Sequence, residues 1–67
     1  MTISYKKLWK LLIDKDMKKK DLQKAAGVSS ASITKLAKNE HISTDIIEKV
    51  CNALQCDVSD IMEMVES

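Results

Sequence analysis

The sequence has no proline, no phenylalanine and no arginine, and one glycine, one tryptophan and one tyrosine among 67 residues. So few turn residues exclude an all-β barrel, while 45% hydrophobic and 31% charged residues exclude a disordered or collagen-like chain. Short helices joined by tight loops are the expected solution. Long apolar runs are missing as well: none approaches the ~20 residues of a bilayer span, and Met1 to Lys10 does not lead into the apolar stretch of a signal peptide. The expected location is therefore the cytoplasm, with no membrane contact. Cysteine is sparse, and Cys51 and Cys56 lack the spacing of a C-x-x-C redox or zinc pair. His41 stands alone, and Asp14, Asp16 and Asp21 lack the loop spacing and glycine of a calcium site. No metal and no cofactor are expected, and the cysteines read as reduced core thiols. Nor does the chain offer paired carboxylates or a nucleophile with its base, so it does not read as an enzyme.

At 7.5 kDa the chain is expected to form one domain over residues 1–67, burying about 60% of its extended surface. Its net charge of +1 conceals an asymmetry. Residues 1–38 carry ten lysines against three aspartates, +7, whereas residues 39–67 carry Lys49 against seven acids, −6. The first half calls for an anionic partner, with self-association through opposite halves as the competing reading. Lysine without arginine favours point-charge attraction to phosphate over bidentate base recognition.

Apolar spacing places five helices. Ser4 is the expected cap of a first helix in which Tyr5, Leu8, Trp9, Leu11, Leu12 and Ile13 recur at three-and-four spacing. A second runs from Lys18 to Ala26 and stops at Gly27, where a left-handed residue ends a helix without steric cost. Ser29 caps a third through Lys38, with Ile33, Leu36 and Ala37 inward and Asn39 ending it. After a loop containing Ile42, Ser43 or Thr44 caps a fourth carrying Ile46, Ile47, Val50, Cys51 and Leu54. Asp57 is expected to cap a fifth with Val58, Ile61, Met62 and Val65.

Two helices around a glycine turn, over about 19–38, form a helix-turn-helix arrangement in which the second helix protrudes. Leu22, Gly27-Val28-Ser29, Ile33 and Leu36 resemble the signature of the phage-repressor and Cro (xenobiotic response element type) family of helix-turn-helix regulators. The likeness extends to Leu8, Leu11 and Met17 before the motif, and to Ile46, Val50, Leu54-Gln55-Cys56-Asp57 and Ile61 after it. Three departures stand out. Gln23 replaces a small alanine at the close approach of the two helices. Leu12 and Ala37 replace an Arg and Glu that often pair, so no buried charge is left single. Asn39 replaces the usual glycine after the third helix.

The resemblance implies an all-α, compact five-helix lambda-repressor-like domain that binds double-stranded DNA as a transcriptional regulator. It implies base contacts from Ser29, Ser30, Ala31, Thr34 and Lys35 in the major groove. Hydroxyls meet several base edges, Ala31 suits a thymine methyl, and Lys35 alone has the charge to prefer guanine. Lys18, Lys19, Lys20, Lys38 and Asn39 fall where the family meets phosphate, Lys19 at the start of the second helix. The other reading is a protein-interaction module, antitoxin-like or accessory, that keeps the fold and uses its surface on a protein partner. Tyr5, Trp9 and Ile13 form a strip for which two coverings stay open: the fifth helix folding back, or a second copy in a homodimer with two reading helices about one DNA turn apart.

Overall fold

Left-handed backbone punctuates the chain. In the computed structural model, which describes residues 2–66, Asp16, Gly27, Asn39 and Gln55 have φ values of 58°, 67°, 56° and 53°; Gly27 and Gln55 directly follow a helix, and Asp16 and Asn39 stand one residue beyond that position. Between them lie helices α1 (Lys6–Asp14), α2 (Lys19–Ala26), α3 (Ser30–Ala37) and α4 (Thr44–Leu54). Met1 and Ser67, the two ends of the expected domain, lie outside the described residues. Gly27 is chosen for its backbone and not for room, since a Cβ there would meet nothing within 4 Å. Its N–H and that of Val28 both donate to the Gln23 carbonyl, closing α2.

The N-terminal caps follow the same local logic. Ser29 Oγ accepts the Ser32 N–H at 3.2 Å, and Ser43 Oγ accepts the Ile46 N–H at 3.4 Å. At α2 the Asp21 carboxylate accepts the Lys18 N–H at 2.8 Å, half of a capping box with its acid near the positive end of the helix. Helix α1 starts differently from expectation. Tyr5, not Ser4, takes the N-cap position and makes no side-chain cap bond, because Ser4 is drawn into a strand; the Ser4 Oγ nonetheless accepts the Lys6 N–H at 3.3 Å.

That strand, β1 (Thr2–Ser4), overturns the fifth helix. Val58–Asp60 makes a single 3-10 turn, and Glu63–Val65 forms β2, antiparallel to β1 with Ile3 opposite Met64. The residues Val58, Ile61, Met62 and Val65 do have helical spacing, but the Asp57 and Asp60 carboxylates close a short cap on the Val58 and Asp57 N–H groups. Beyond it, backbone pairing with the distant β-branched Thr2 and Ile3 satisfies β2 instead. The fold is thus mostly helical, with four α-helices and a two-stranded ribbon among the described residues. Such a ribbon is marginal alone, and Ile3 and Met62 hold it against the core.

The core joins Tyr5, Leu8 and Leu12 to Leu22, Ala26 and Val28, to Ile33 and Leu36, and to Ile47, Val50, Leu54 and Ile61. Helix α2 packs on both α3 and α4. Each fully buried Leu, Ile or Val contributes roughly 1.5–3 kcal/mol, so Leu22 and Leu36, both 0% exposed, fix the angle of α3. No helix is long and apolar enough to cross a membrane among the described residues.

Candidate nucleic-acid interface

With Ile33 and Leu36 turned inward, the opposite side of α3 presents Ser30, Ala31, Thr34 and Lys35, all exposed, with Ser29 exposed at its cap. The spacing of three and four residues puts these side chains on adjoining faces of one helix. Local bonds restrict some of their chemistry. Thr34 Oγ1 donates to the Ser30 carbonyl at 3.0 Å, leaving its oxygen lone pairs as the outward function. Ser29 Oγ is committed to the cap and also lies 3.2 Å from Ser32 Oγ. Ala31 and Lys35 carry no such restriction in the hydrogen-bond network.

Lys18, Lys19 and Lys20 are exposed at the start of α2, and Lys38 is exposed after α3. The free N–H groups and dipole of a helix N-terminus add positive potential beside the three lysines. Asn39 is different. Its Oδ1 accepts the backbone N–H of Tyr5 at 3.0 Å, so only its Nδ2 donors remain for a phosphate.

Sequence reasoning missed the neighbourhood of α3. A hollow of about 280 Å³ opens between α3 and the loop to α4, where His41 and Ser43 face Ser29, Ser32 and Lys35. His41 looked like an ordinary loop residue because nothing near it in sequence marks that contact. Gln23 is half-buried at the closure of α2, Leu12 is in the core, and Ala37 is exposed, so the apolar replacement of the family's charged pair is asymmetric.

The strip on α1 divides. Tyr5 is 1% exposed and belongs to the core, which removes it from any surface contact. Its hydroxyl is pushed above the ordinary tyrosine value by burial. Trp9 is half-buried and Ile13 is 75% exposed, and the fifth helix, one of the two coverings left open for them, does not form. Instead the 3-10 turn meets α1 near its start, with Lys7 Nζ donating to the Ser59 carbonyl at 3.2 Å and lying 3.8 Å from Glu63. Around Trp9, Leu12, Ile13, Met17, Lys18 and Lys19 bound an apolar hollow of about 360 Å³, and the Lys19 ammonium sits 4.9 Å from the indole centroid.

Cys51 and Cys56 are free and half-buried. Burial pushes both thiols up, and the carboxylate of Asp60 acts in the same direction on each. They stay protonated near neutral pH, which suits packing and not nucleophilic chemistry.

The helix-turn-helix with its basic flank defines a DNA-binding class, and the comparison with known proteins agrees. The family model for the Cro/C1-type HTH DNA-binding domain matches residues 7–67, and the chain belongs to that family. Among solved structures it is similar to the transcriptional regulator VanUg in crystal form II, 48% identical over 98% of this chain and 88% of that one, with a TM-score of 0.93. No curated protein matches.

Proposed function

We propose that residues 1–67 act as one helix-turn-helix domain that binds operator DNA sequence-specifically and regulates transcription in the cytoplasm, without catalysis. The carrying observation is the Cro/C1-type match over residues 7–67, coinciding with an exposed α3 face beside a lysine-rich helix start. The similar VanUg is itself a transcriptional regulator.

In this reading α3 enters the major groove. Ser29, Ser30, Ala31, Thr34 and Lys35 meet base edges, and Lys35 supplies the one charged donor. Lys18, Lys19, Lys20, Lys38 and the Asn39 Nδ2 meet phosphates and set the register, and the +7 half supplies most of the affinity. A reading head of small hydroxyls and one lysine discriminates weakly alone. A two-fold homodimer through Ile13 and the edge of Trp9 doubles it, with the two α3 helices ~34 Å apart. The test is anisotropy with duplexes tiling the upstream region, at ~50 and ~200 mM salt. One duplex is expected to outcompete random DNA, and equal binding to every duplex overturns sequence-specific regulation.

The apolar hollow at Trp9, with Ile13 75% exposed, favours a second reading in which the fold serves a protein partner. A stable complex with a co-encoded protein that persists without DNA, together with no salt-sensitive DNA binding, selects it.

A further inference from the structure

Lys19 opens α2, and its ammonium lies over the face of Trp9, a residue of α1 outside the helix-turn-helix. The 4.9 Å separation is within the range where the negative face of an indole attracts a cation, and tryptophan is the strongest aromatic partner. Nothing else competes for this ammonium: among the described residues the ion pairs are Lys7 with Glu63 and Lys49 with Asp45. The ring is itself held in place, since Trp9 packs against the core beside Leu12 and Met17. A half-buried, anchored ring thus carries an exposed lysine at the positive end of a helix.

We infer that Trp9 is a positioning residue for the DNA interface, its ring holding the Lys19 ammonium at the start of α2 for a backbone phosphate. A lysine free in solvent samples many rotamers and loses that freedom when it binds. Resting on the indole, Lys19 has lost part of it before DNA arrives. An ammonium has three N–H donors, and the ring occupies one side, leaving the others for phosphate oxygens. The phosphate-binding apparatus therefore extends beyond the helix-turn-helix onto α1, which supplies no charge of its own at this point. The inference rests on the reading of Lys19 as a phosphate contact.

Phosphate contacts dominate non-specific binding, so the operator is not needed for the test. The probe is a 20-base-pair mixed-sequence duplex at ~50 mM salt, titrated with the full chain and with Trp9→Leu, Trp9→Phe, Lys19→Met and the Trp9→Leu/Lys19→Met pair. Trp9→Leu keeps an apolar filler but no π face and is expected to bind about two- to five-fold more weakly, with Trp9→Phe recovering part of the loss. The double variant is expected to bind no more weakly than Lys19→Met, because the ring acts only through the ammonium. Losses that multiply in the double variant, or a Trp9→Leu chain as tight as wild type beside a weakened Lys19→Met, overturn the role of Trp9 and leave the phosphate contact standing. A Lys19→Met chain as tight as wild type overturns both. A second measurement needs no change at Trp9: adding DNA is expected to shift the indole ring-proton resonances of wild type and to leave those of Lys19→Met nearly still. Equal shifts in both also overturn it.

Discussion

The backbone N–H of Tyr5 donates to the side-chain oxygen of Asn39 at 3.0 Å, joining residues 34 positions apart. One end of this bond starts α1 and the other ends α3, so a single carboxamide ties the entry of the domain to the exit of the reading helix. Asn39 serves twice, since its φ of 56° also turns the chain away from α3. Asparagine suits both tasks: it tolerates left-handed backbone and brings an acceptor that glycine lacks.

Asn39→Gly is expected to keep the turn and lose the bond, leaving the Tyr5 N–H unpaired at a cost of about 1–3 kcal/mol. Asn39→Ala loses the bond and adds roughly 1–2 kcal/mol of left-handed strain. Asn39→Asp retains an acceptor and is expected to lie closest to wild type. Urea melts give the ordering wild type, Asp, Gly, Ala, and an alanine variant as stable as the glycine one contradicts it.

Lys19→Ala and Lys20→Ala are expected to weaken binding to specific and random duplexes alike. Each reduces the slope of log affinity against log salt by up to ~1, one phosphate contact apiece. A slope unchanged in both variants removes phosphate contact from this end of α2.

Replacing Lys35 acts on sequence preference instead. Lys35→Ala is expected to cost roughly 1–3 kcal/mol at one position of the preferred duplex and to relax the choice of base there. Equal losses on preferred and random duplexes reassign Lys35 to the backbone.

Ile13→Glu introduces a charge at a site 75% exposed, so the fold is expected to tolerate it. If the proposed two-fold contact exists, the variant sediments as a monomer where wild type is a dimer on its operator. A wild-type chain bound singly sinks the dimer.

Alkaline pH provides a fifth lever. The thiols of Cys51 and Cys56 are pushed up in the folded state, by burial first, and Tyr5 likewise. Unfolded thiols therefore give up their protons first as pH rises past about 8.5. The stabilisation is complete below that value and is lost progressively above it. Melts from pH 7 to 10 are expected to show falling stability, with a flatter profile for Cys51→Ala/Cys56→Ala, and parallel profiles refute the linkage.

The parts of the fold with local causes were legible in the sequence. Gly27, Ser29 and Ser43 each act within one helical turn, and the alternation of Leu22, Ile33 and Leu36 with lysines and small polar residues sets the two sides of the motif. The ribbon was not legible, because Val58 to Val65 has helical spacing and only its pairing with Thr2–Ser4 decides otherwise. Tyr5 was misplaced for a related reason: helical projection put it beside Trp9, whereas its position just before α1 turns it into the core. For the site, lysine placement could be read from order along the chain. The approach of His41 to α3 and of Lys19 to Trp9 could not, because each depends on how separate elements pack.

The ribbon also gives the molecule a seam. Thr2 faces Val65 across nearly the whole length of the chain, so closing that loop carries the largest entropic cost of any strand or helix pairing among the described residues, while α2 and α3 form from neighbours. The seam is therefore expected to order last in refolding and to open first in the native state. Amides of Ile3 and Met64 are expected to exchange with solvent through local opening, and those within α2 and α3 only on global unfolding. The DNA-reading surface is expected to keep its shape while β1 and β2 part and rejoin.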